Sequence, residues 1–296
     1  MSVAKIKVAL VQANIAAQGS QNLARLTDMA QHAAQAGCQL LVLPELHQSS
    51  YFCQSENPQN FDLAEEIPGK TSEQWSMCAK NNGLVIVCSL FEKRAKGIYH
   101  NTAVVFEKDG RIAGKYRKMH IPDDPGYYEK FYFTPGDLGF APIETSIGKL
   151  GVLVCWDQWF PEAARLSALK GADLLIYPTA IGWDRLDADD EKQRQLQAWV
   201  TIQRSHAIAN GLPVLSCNRN GYEAQTDNSQ TGIDFWGNSL VVGPQGEILA
   251  QSDVAYQGLL IAEIDLNRTE QVRRVWPFLR DRRIDAYQDL SERYGK

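Results

Sequence analysis

Short apolar runs alternate with stretches of helical spacing along most of this chain, and that alternation restricts the fold more than any single residue does. Residues 5–13 are apolar and β-branched and read as a strand. Residues 22–36 carry Leu23, Leu26, Met29, Ala30 and Ala33 at helical spacing, with Gly37 placed to close the helix. A strand over 39–43 runs into Pro44-Glu45. A helix follows over 71–81, with Thr71 or Ser72 as its cap and Gly83 closing it, and then a strand over 84–91. Residues 101–106 and 111–117 flank Asp109-Gly110, a strong hairpin signal. Residues 122–139 read as a long loop rich in Pro, Gly, Asp and aromatics, long enough to carry function.

The second half repeats this rhythm. A hairpin is expected over 143–147 and 150–155 through Gly148-Lys149, then a helix over 162–169 and a strand over 173–177 that stops at Pro178. The longest helix spans 187–210 and is closed by Gly211. Strands follow at 213–217, 237–242, 248–250 and 259–264, with Pro244-Gln245-Gly246 turning between the middle two. No Pro/Gly/Ser linker separates the halves, so 1–296 is expected to be one α/β domain. The stretch from Asn267 onward, rich in Arg and aromatics, reads as a partner-contacting arm rather than a core element, and suggests a subunit contact.

Composition excludes several classes of function. The net charge of −5 gives no basis for nucleic-acid binding and mildly favours a cationic small molecule. Cys38, Cys53, Cys78, Cys88, Cys155 and Cys217 are scattered, with no C-x-x-C pair to suggest zinc or a redox dithiol. The first residues are too interrupted for a secretory h-region, and no apolar run approaches the roughly 20 residues of a membrane span. A reduced cytoplasmic setting is therefore expected, with no membrane partner.

Three polar residues share one position relative to these strands. Glu45 follows Leu41-Val42-Leu43-Pro44, Lys118 follows the Asp-Gly hairpin arm, and Cys155 follows Gly151-Val152-Leu153-Val154. Sheets of α/β proteins place their ligands where strands run out. Pro161-Glu162, just beyond Cys155, suits a first helical turn, and the corner before it offers backbone N–H groups to an oxyanion. A thiol of ordinary pKa near ~8.5 is only slightly ionised at neutral pH and needs a base or a positive charge beside it. Glu45 is suited to take the proton. Lys118 is suited to stabilise thiolate and oxyanion, together with the Trp156 backbone N–H. His120 is the competing base, and a buried structural cysteine with a turn acid and a solvated lysine is the bland alternative.

The segments Leu43-Pro44-Glu45, Lys115-Tyr116-Arg117-Lys118-Met119-His120-Ile121-Pro122 and Val154-Cys155-Trp156-Asp157-Gln158-Trp159-Phe160-Pro161-Glu162 resemble, in order, the three signature blocks of the carbon–nitrogen hydrolase (nitrilase) superfamily. The resemblance implies a four-layer α-β-β-α sandwich of two mixed sheets, homo-oligomers, and no metal or organic cofactor. It also implies a Glu45–Lys118–Cys155 triad of base, oxyanion stabiliser and nucleophile, with Glu129 matching a second acid that often assists.

Within the superfamily, residues 129–137 and 177–182 look like the N-carbamoylputrescine amidohydrolases, which implies hydrolysis of a terminal ureido group on a small cation. A distal ammonium needs an acceptor. Asp184, with Asp187 close behind, is the expected amine site, Trp183 its aromatic wall, and Trp156 and Tyr51 further substrate contacts. Carbamoyl-amino-acid hydrolases tend to carry arginine just after the nucleophile. Trp156-Asp157-Gln158-Trp159 has none, although Arg219 remains available to a carboxylate. The alternatives are a related amidase or β-ureidopropionate-type hydrolase, a non-catalytic scaffold that keeps the fold, and a redox-sensing thiol protein, the last disfavoured by the lack of a resolving cysteine near Cys155.

Overall fold

A computed structural model describes residues 5–15, 19–225 and 228–295. The ends of the expected domain, 1–4 and 296, lie outside the described residues. The first half comprises β1 (Lys5–Gln12), α1 (Gly19–Gln35), β2 (Leu40–Val42), α2 (Lys70–Asn82), β3 (Val85–Ala95), β4 (Ile98–Phe106), β5 (Ile112–Arg117) and a single helical turn, α3 (Glu129–Tyr132). After it come β6 (Ile143–Thr145), β7 (Gly148–Val152), α4 (Pro161–Leu169), β8 (Leu174–Thr179), β9 (Gly182–Asp184) and α5 (Asp189–Asn210). The remainder is β10 (Val214–Asn218), β11 (Asn220–Gln225), β12 (Asn228–Trp236), β13 (Leu240–Val242), β14 (Ile248–Gln251), β15 (Gly258–Asp265) and α6 (Asn267–Val275).

Two six-stranded mixed sheets result, in the orders β15-β1-β2-β3-β4-β5 and β14-β13-β10-β8-β7-β6. The parallel pairs are β1–β2 and β2–β3 in the first sheet, and β10–β8 and β8–β7 in the second. Along β1, Ile6, Val8 and Leu10 join the cluster between the sheets, while Ala9 and Val11 face the helix layer with Leu26, Ala30, Ala33, Trp75 and Ala79. Both faces of the strand are buried, which is why it reads as an unbroken apolar run rather than an alternating one. The helices α1 and α2 cover the first sheet and α4 and α5 the second, giving the expected α-β-β-α sandwich.

Several boundaries differ from expectation for physical reasons. The α2 helix begins after Gly69, whose N–H donates to Ser72 Oγ at 2.7 Å, so Ser72 caps from inside the helix rather than before it. Pro178 lies within β8, opposite Cys217. The strand tolerates it because β7, on the other side, pairs only as far as Ile176. The expected loop 122–139 contains α3. A third sheet, β11-β12-β9, was not legible, because its strands are short or polar and carry no apolar run. The arm from Asn267 starts as α6, where Val272 is buried and Arg273 donates to the Asn210 carbonyl at 2.9 and 3.1 Å, completing the end of α5. Beyond α6 its apolar residues are largely exposed, Trp276, Phe278 and Leu290 among them. Among the described residues no helix is long and apolar enough to cross a membrane.

Candidate active site

The chain leaves β2 through Leu43-Pro44, and Glu45 N–H then donates to Thr179 O at 3.2 Å, tying the end of β2 to the end of β8 in the opposite sheet. This places a carboxylate in the seam between the sheets, where it has no exposure at all. Glu45 Oε1 accepts from Asn101 Nδ2 at 2.7 Å and from Lys118 Nζ at 2.8 Å. Asn101 is held by Ser89 Oγ at 2.7 Å, and Ser89 Oγ accepts from Leu46 N–H at 3.2 Å. The other oxygen, Glu45 Oε2, is buried and has no hydrogen-bond partner among the described residues. A buried carboxylate oxygen left open in this way is available to take a proton.

Lys118 follows β5, with its N–H on the Asn101 carbonyl at 2.9 Å and its carbonyl accepting from Gly136 N–H at 2.8 Å. Only glycine fits at 136, since a Cβ there would lie 1.9 Å from Arg117 O. The Lys118 ammonium bridges two carboxylates, reaching Glu129 Oε2 at 2.6 Å besides Glu45. Glu129 opens α3, and its Oε1 accepts from Tyr51 Oη at 2.6 Å. Burial works against the ammonium, but Glu129, Glu45 and Cys155 together raise Lys118 well above the ordinary lysine value. Burial also pushes the Glu129 carboxyl up to about 7, with Lys118 opposing and Glu45 adding to the rise. Lys118 is therefore a fixed cation.

Cys155 does not end a strand. The β7 strand stops at Val152, and Cys155 opens a 3₁₀ turn (Cys155–Trp159) with φ of 43°, a left-handed conformation rare for a residue with a Cβ. Asp157 holds that turn. Its Oδ2 accepts from Val154 N–H at 2.9 Å and Tyr116 Oη at 2.8 Å, and its Oδ1 from His120 N–H at 3.0 Å. The imidazole Nδ1 of His120 also lies 2.7 Å from Asp157 Oδ1, with its ring stacked 3.8 Å from that of Phe160. His120 is thus committed to the turn through Asp157. The thiol lies 3.7 Å from Ala180 O. Burial first, and Glu45 next, push Cys155 well above the ordinary thiol range, with Lys118 pulling the other way. The resting thiol is protonated, within the electrostatic reach of both Glu45 and Lys118.

A cleft of about 600 Å³ opens above the sulfur. Cys155, Trp156, Trp159, Tyr127, Ile181 and Trp236 line it, and Asp124, Asp184, Asp187, Glu191 and Arg194 give it charge. Trp156 and Asp184 thus fall where a ligand would touch them. Tyr51 does not line the cleft. It is 2% exposed and stands behind Glu129. Trp183 is also off the cleft, its Nε1 donating to Lys192 O at 2.9 Å, because neighbours on β9 face opposite ways and Asp184 takes the cleft side. Arg219 is unavailable to a ligand carboxylate. Fully buried, it pairs with Glu223 at 2.8 Å and donates to the carbonyls of Glu45 and Leu46 at 2.6 and 3.0 Å. Among the described residues no group of three His, Cys, Asp or Glu is arranged to hold a metal ion.

Sequence reasoning missed Asn101, Ser89 and Asp157. Asn101 carried a signal, as an amide in β4 beside Thr102, the strand-pair partner of the Arg117 that Lys118 follows. Asp157 stood within the third signature block but was read only as a residue that is not arginine.

Comparison with known proteins follows the same lines. The carbon–nitrogen hydrolase family profile matches residues 7–274. The chain is 40% identical over 294 residues to a citrullinase of Francisella tularensis, covering 99% of this chain and 100% of that protein. It is equally similar, 40% over 291 residues, to an N-carbamoylputrescine amidase of Solanum lycopersicum, covering 96% and 94%. A crystal structure of a carbon–nitrogen hydrolase from Helicobacter pylori superposes with a TM-score of 0.96 at 56% identity, covering 98% of this chain and 100% of that one.

Proposed function

The chain belongs to the carbon–nitrogen hydrolase family, and from that premise we propose that it hydrolyses the ureido group of N-carbamoylputrescine to putrescine, carbon dioxide and ammonia. Glu45 Oε2 takes the Cys155 proton as sulfur attacks the ureido carbon. The oxyanion is stabilised by the Lys118 ammonium and the Trp156 backbone N–H, a kind of contact in which one donor is worth about 3 kcal/mol of barrier. Collapse expels ammonia, which leaves with the proton held by Glu45. The carbamoyl thioester then accepts a water deprotonated by Glu45, and the thiolate leaves and is reprotonated. The released carbamate loses carbon dioxide. Glu129 keeps Lys118 charged and in place. No metal or organic cofactor takes part.

The observation that carries the substrate reading is the charge of the cleft. Asp124, Asp184, Asp187 and Glu191 face it, with Arg194 as the single cation among the described residues that line it, and Arg194 already pairs with Asp190 and Glu191 at 2.8 Å each. A ligand ammonium is favoured there and a free carboxylate is not. Asp184, on the cleft side of β9, is the acceptor proposed for the far nitrogen, with Trp156 beside the reacting end.

A ureido α-amino acid such as citrulline is the second reading, favoured by Arg194 in that same cleft and by the citrullinase relative. Arg194 would have to leave Asp190 or Glu191 to take the carboxylate. Ammonia release from N-carbamoylputrescine, citrulline and β-ureidopropionate, measured side by side, tests the choice. Preference for citrulline would replace the first reading, and preference for β-ureidopropionate would exclude both. We further propose that the protein works in the cytoplasm as a homo-oligomer with the segment from Asn267 in its contacts.

A further inference from the structure

The proposed chemistry leaves the buried Arg219–Glu223 ion pair unused. Arg219 has no exposure and Glu223, in β11, has 5%. Arg219 Nη1 lies 2.8 and 3.0 Å from the two Glu223 oxygens. Its Nη2 donates to two consecutive carbonyls, Glu45 O at 2.6 Å and Leu46 O at 3.0 Å. Leu46 has φ of 47°, so the residue after Glu45 is held in a left-handed conformation that a fork of two hydrogen bonds can maintain. Glu223 Oε2 also accepts from Tyr51 N–H at 2.6 Å, and Tyr51 Oη in turn donates to Glu129. The Arg219 guanidinium lies over the rings of Phe235 at 5.2 Å and Tyr51 at 5.8 Å, away from solvent.

We infer that the Arg219–Glu223 pair is the device that positions both carboxylates flanking Lys118. It reaches Glu45 through the carbonyls of Glu45 and Leu46, and Glu129 through the backbone and hydroxyl of Tyr51. The inference rests on the catalytic reading of Glu45 and Lys118. Neither Arg219 nor Glu223 lines the cleft, so both act through other residues and are positioning residues. A small displacement suffices to matter, since a shift of about 1 Å at a reacting group costs about 10²-fold in rate. Lysine at 219 keeps the charge but loses the fork that spans two carbonyls and a carboxylate.

Arg219→Lys and Glu223→Gln test this in the full-length protein, with kcat expressed per alkylatable Cys155 thiol and Tm measured alongside. Glutamine at 223 keeps the volume and an oxygen for Tyr51 N–H, so that variant carries the test if Arg219→Lys does not fold. The expected result is a fall in kcat of about 10²-fold in each, with KM for the best ureido substrate within about twofold. Alkylation of Cys155 by a small neutral reagent should slow in parallel, because the base no longer meets the thiol. An unchanged kcat per thiol, whatever the Tm, would make the pair purely structural and overturn the inference. A KM effect with kcat preserved, or failure of both variants to fold, would do the same. Cys155→Ala run in parallel keeps the underlying reading separate, since turnover by that variant would defeat the thiol mechanism whatever Arg219 does.

Discussion

Lys118 Nζ stands 2.6 Å from Glu129 Oε2 in a place where both side chains are shut off from solvent. With Glu45 on its other side, the lysine sits between two buried carboxylates. Burial first, and Glu45 next, keep the Cys155 thiol protonated at rest, so in the proposed mechanism proton removal is part of the attack. The alternative, a preformed thiolate, needs an excess of positive charge that the site does not hold.

Removing the cation from this trio should be severe in two separate ways. Lys118→Met deletes the proposed oxyanion donor, for which a loss in kcat of about 10²–10³-fold is expected. It also leaves two carboxylates facing each other in a dry site, a change of the kind that costs about 3–5 kcal/mol. Ammonia release and a urea titration check the two effects, and a fully active, equally stable variant would contradict both.

Glu129 has a pH signature. Its folded value of about 7 lies above the ordinary 4.5, so the native protein holds this proton more tightly than the unfolded chain does. The contribution of this group to stability therefore falls as pH rises from about 4.5 to about 7 and is level beyond. Glu129→Gln should remove that fall, and the difference in Tm between wild type and variant, followed from pH 5 to 8, reads it directly. A pH-independent difference would place the titration elsewhere.

Glu92 shows the opposite sign. It is nearly buried and accepts from Arg117 at 2.8 and 2.9 Å, Thr102 at 2.6 Å and Lys115 at 3.1 Å. Burial opposes its ionisation, but these donors hold it at about 2, below its ordinary 4.5. Its stabilisation is present above the ordinary value and is lost as pH falls from about 4.5 towards 2. Glu92→Gln should flatten this part of the acid-unfolding profile while leaving the protein less stable at pH 7. Because Arg117 adjoins Lys118, a modest loss of kcat should accompany it.

The proposed mechanism does not use His120 as a base. It is spent on Asp157 and stacked on Phe160, so His120→Ala should lower kcat by less than about tenfold. Asp157→Ala, which unties Val154, Tyr116 and His120 from the turn, should cost far more. The reverse ranking in a steady-state assay would restore histidine as the base.

In the cleft, Asp184→Asn should raise KM for a diamine-derived ureide several-fold, with kcat and Tm little changed, since a charge pair at an exposed carboxylate is worth up to about 1 kcal/mol. An unchanged KM would remove Asp184 from the binding site and point to Asp187 or Glu191.

How much of this was legible beforehand depends on what each residue does. Glu45, Lys118 and Cys155 stood at the ends of apolar runs, where a reader of α/β sequences looks first. The structure gathers Glu45 and Lys118 into hydrogen-bond contact. The strand before Cys155 was misjudged because Leu153 and Val154 are as apolar as a strand. Only the buried Asp157 three residues from Val154, accepting its N–H, shows that the chain has already turned. Tyr51 and Trp183 looked like ligand contacts by being aromatic near the site, yet β9 pairing sends Trp183 to the other face and Glu129 takes up the Tyr51 hydroxyl. Arg219 was read as a free cation because its partner, Glu223, lies on the same polar strand region that periodicity does not recognise. Its two carbonyl contacts lie more than 170 residues away along the chain.

In the proposed reaction the ureido carbon becomes bonded to Cys155 while Glu45 carries the proton. The most direct measurement is the intact mass of the protein acid-quenched during turnover of N-carbamoylputrescine, with digestion to locate any adduct. The expected result is a mass gain equal to the substrate less ammonia on the peptide bearing Cys155, and neither adduct nor ammonia release from Cys155→Ala. Ammonia release at the wild-type rate by Cys155→Ala would contradict it.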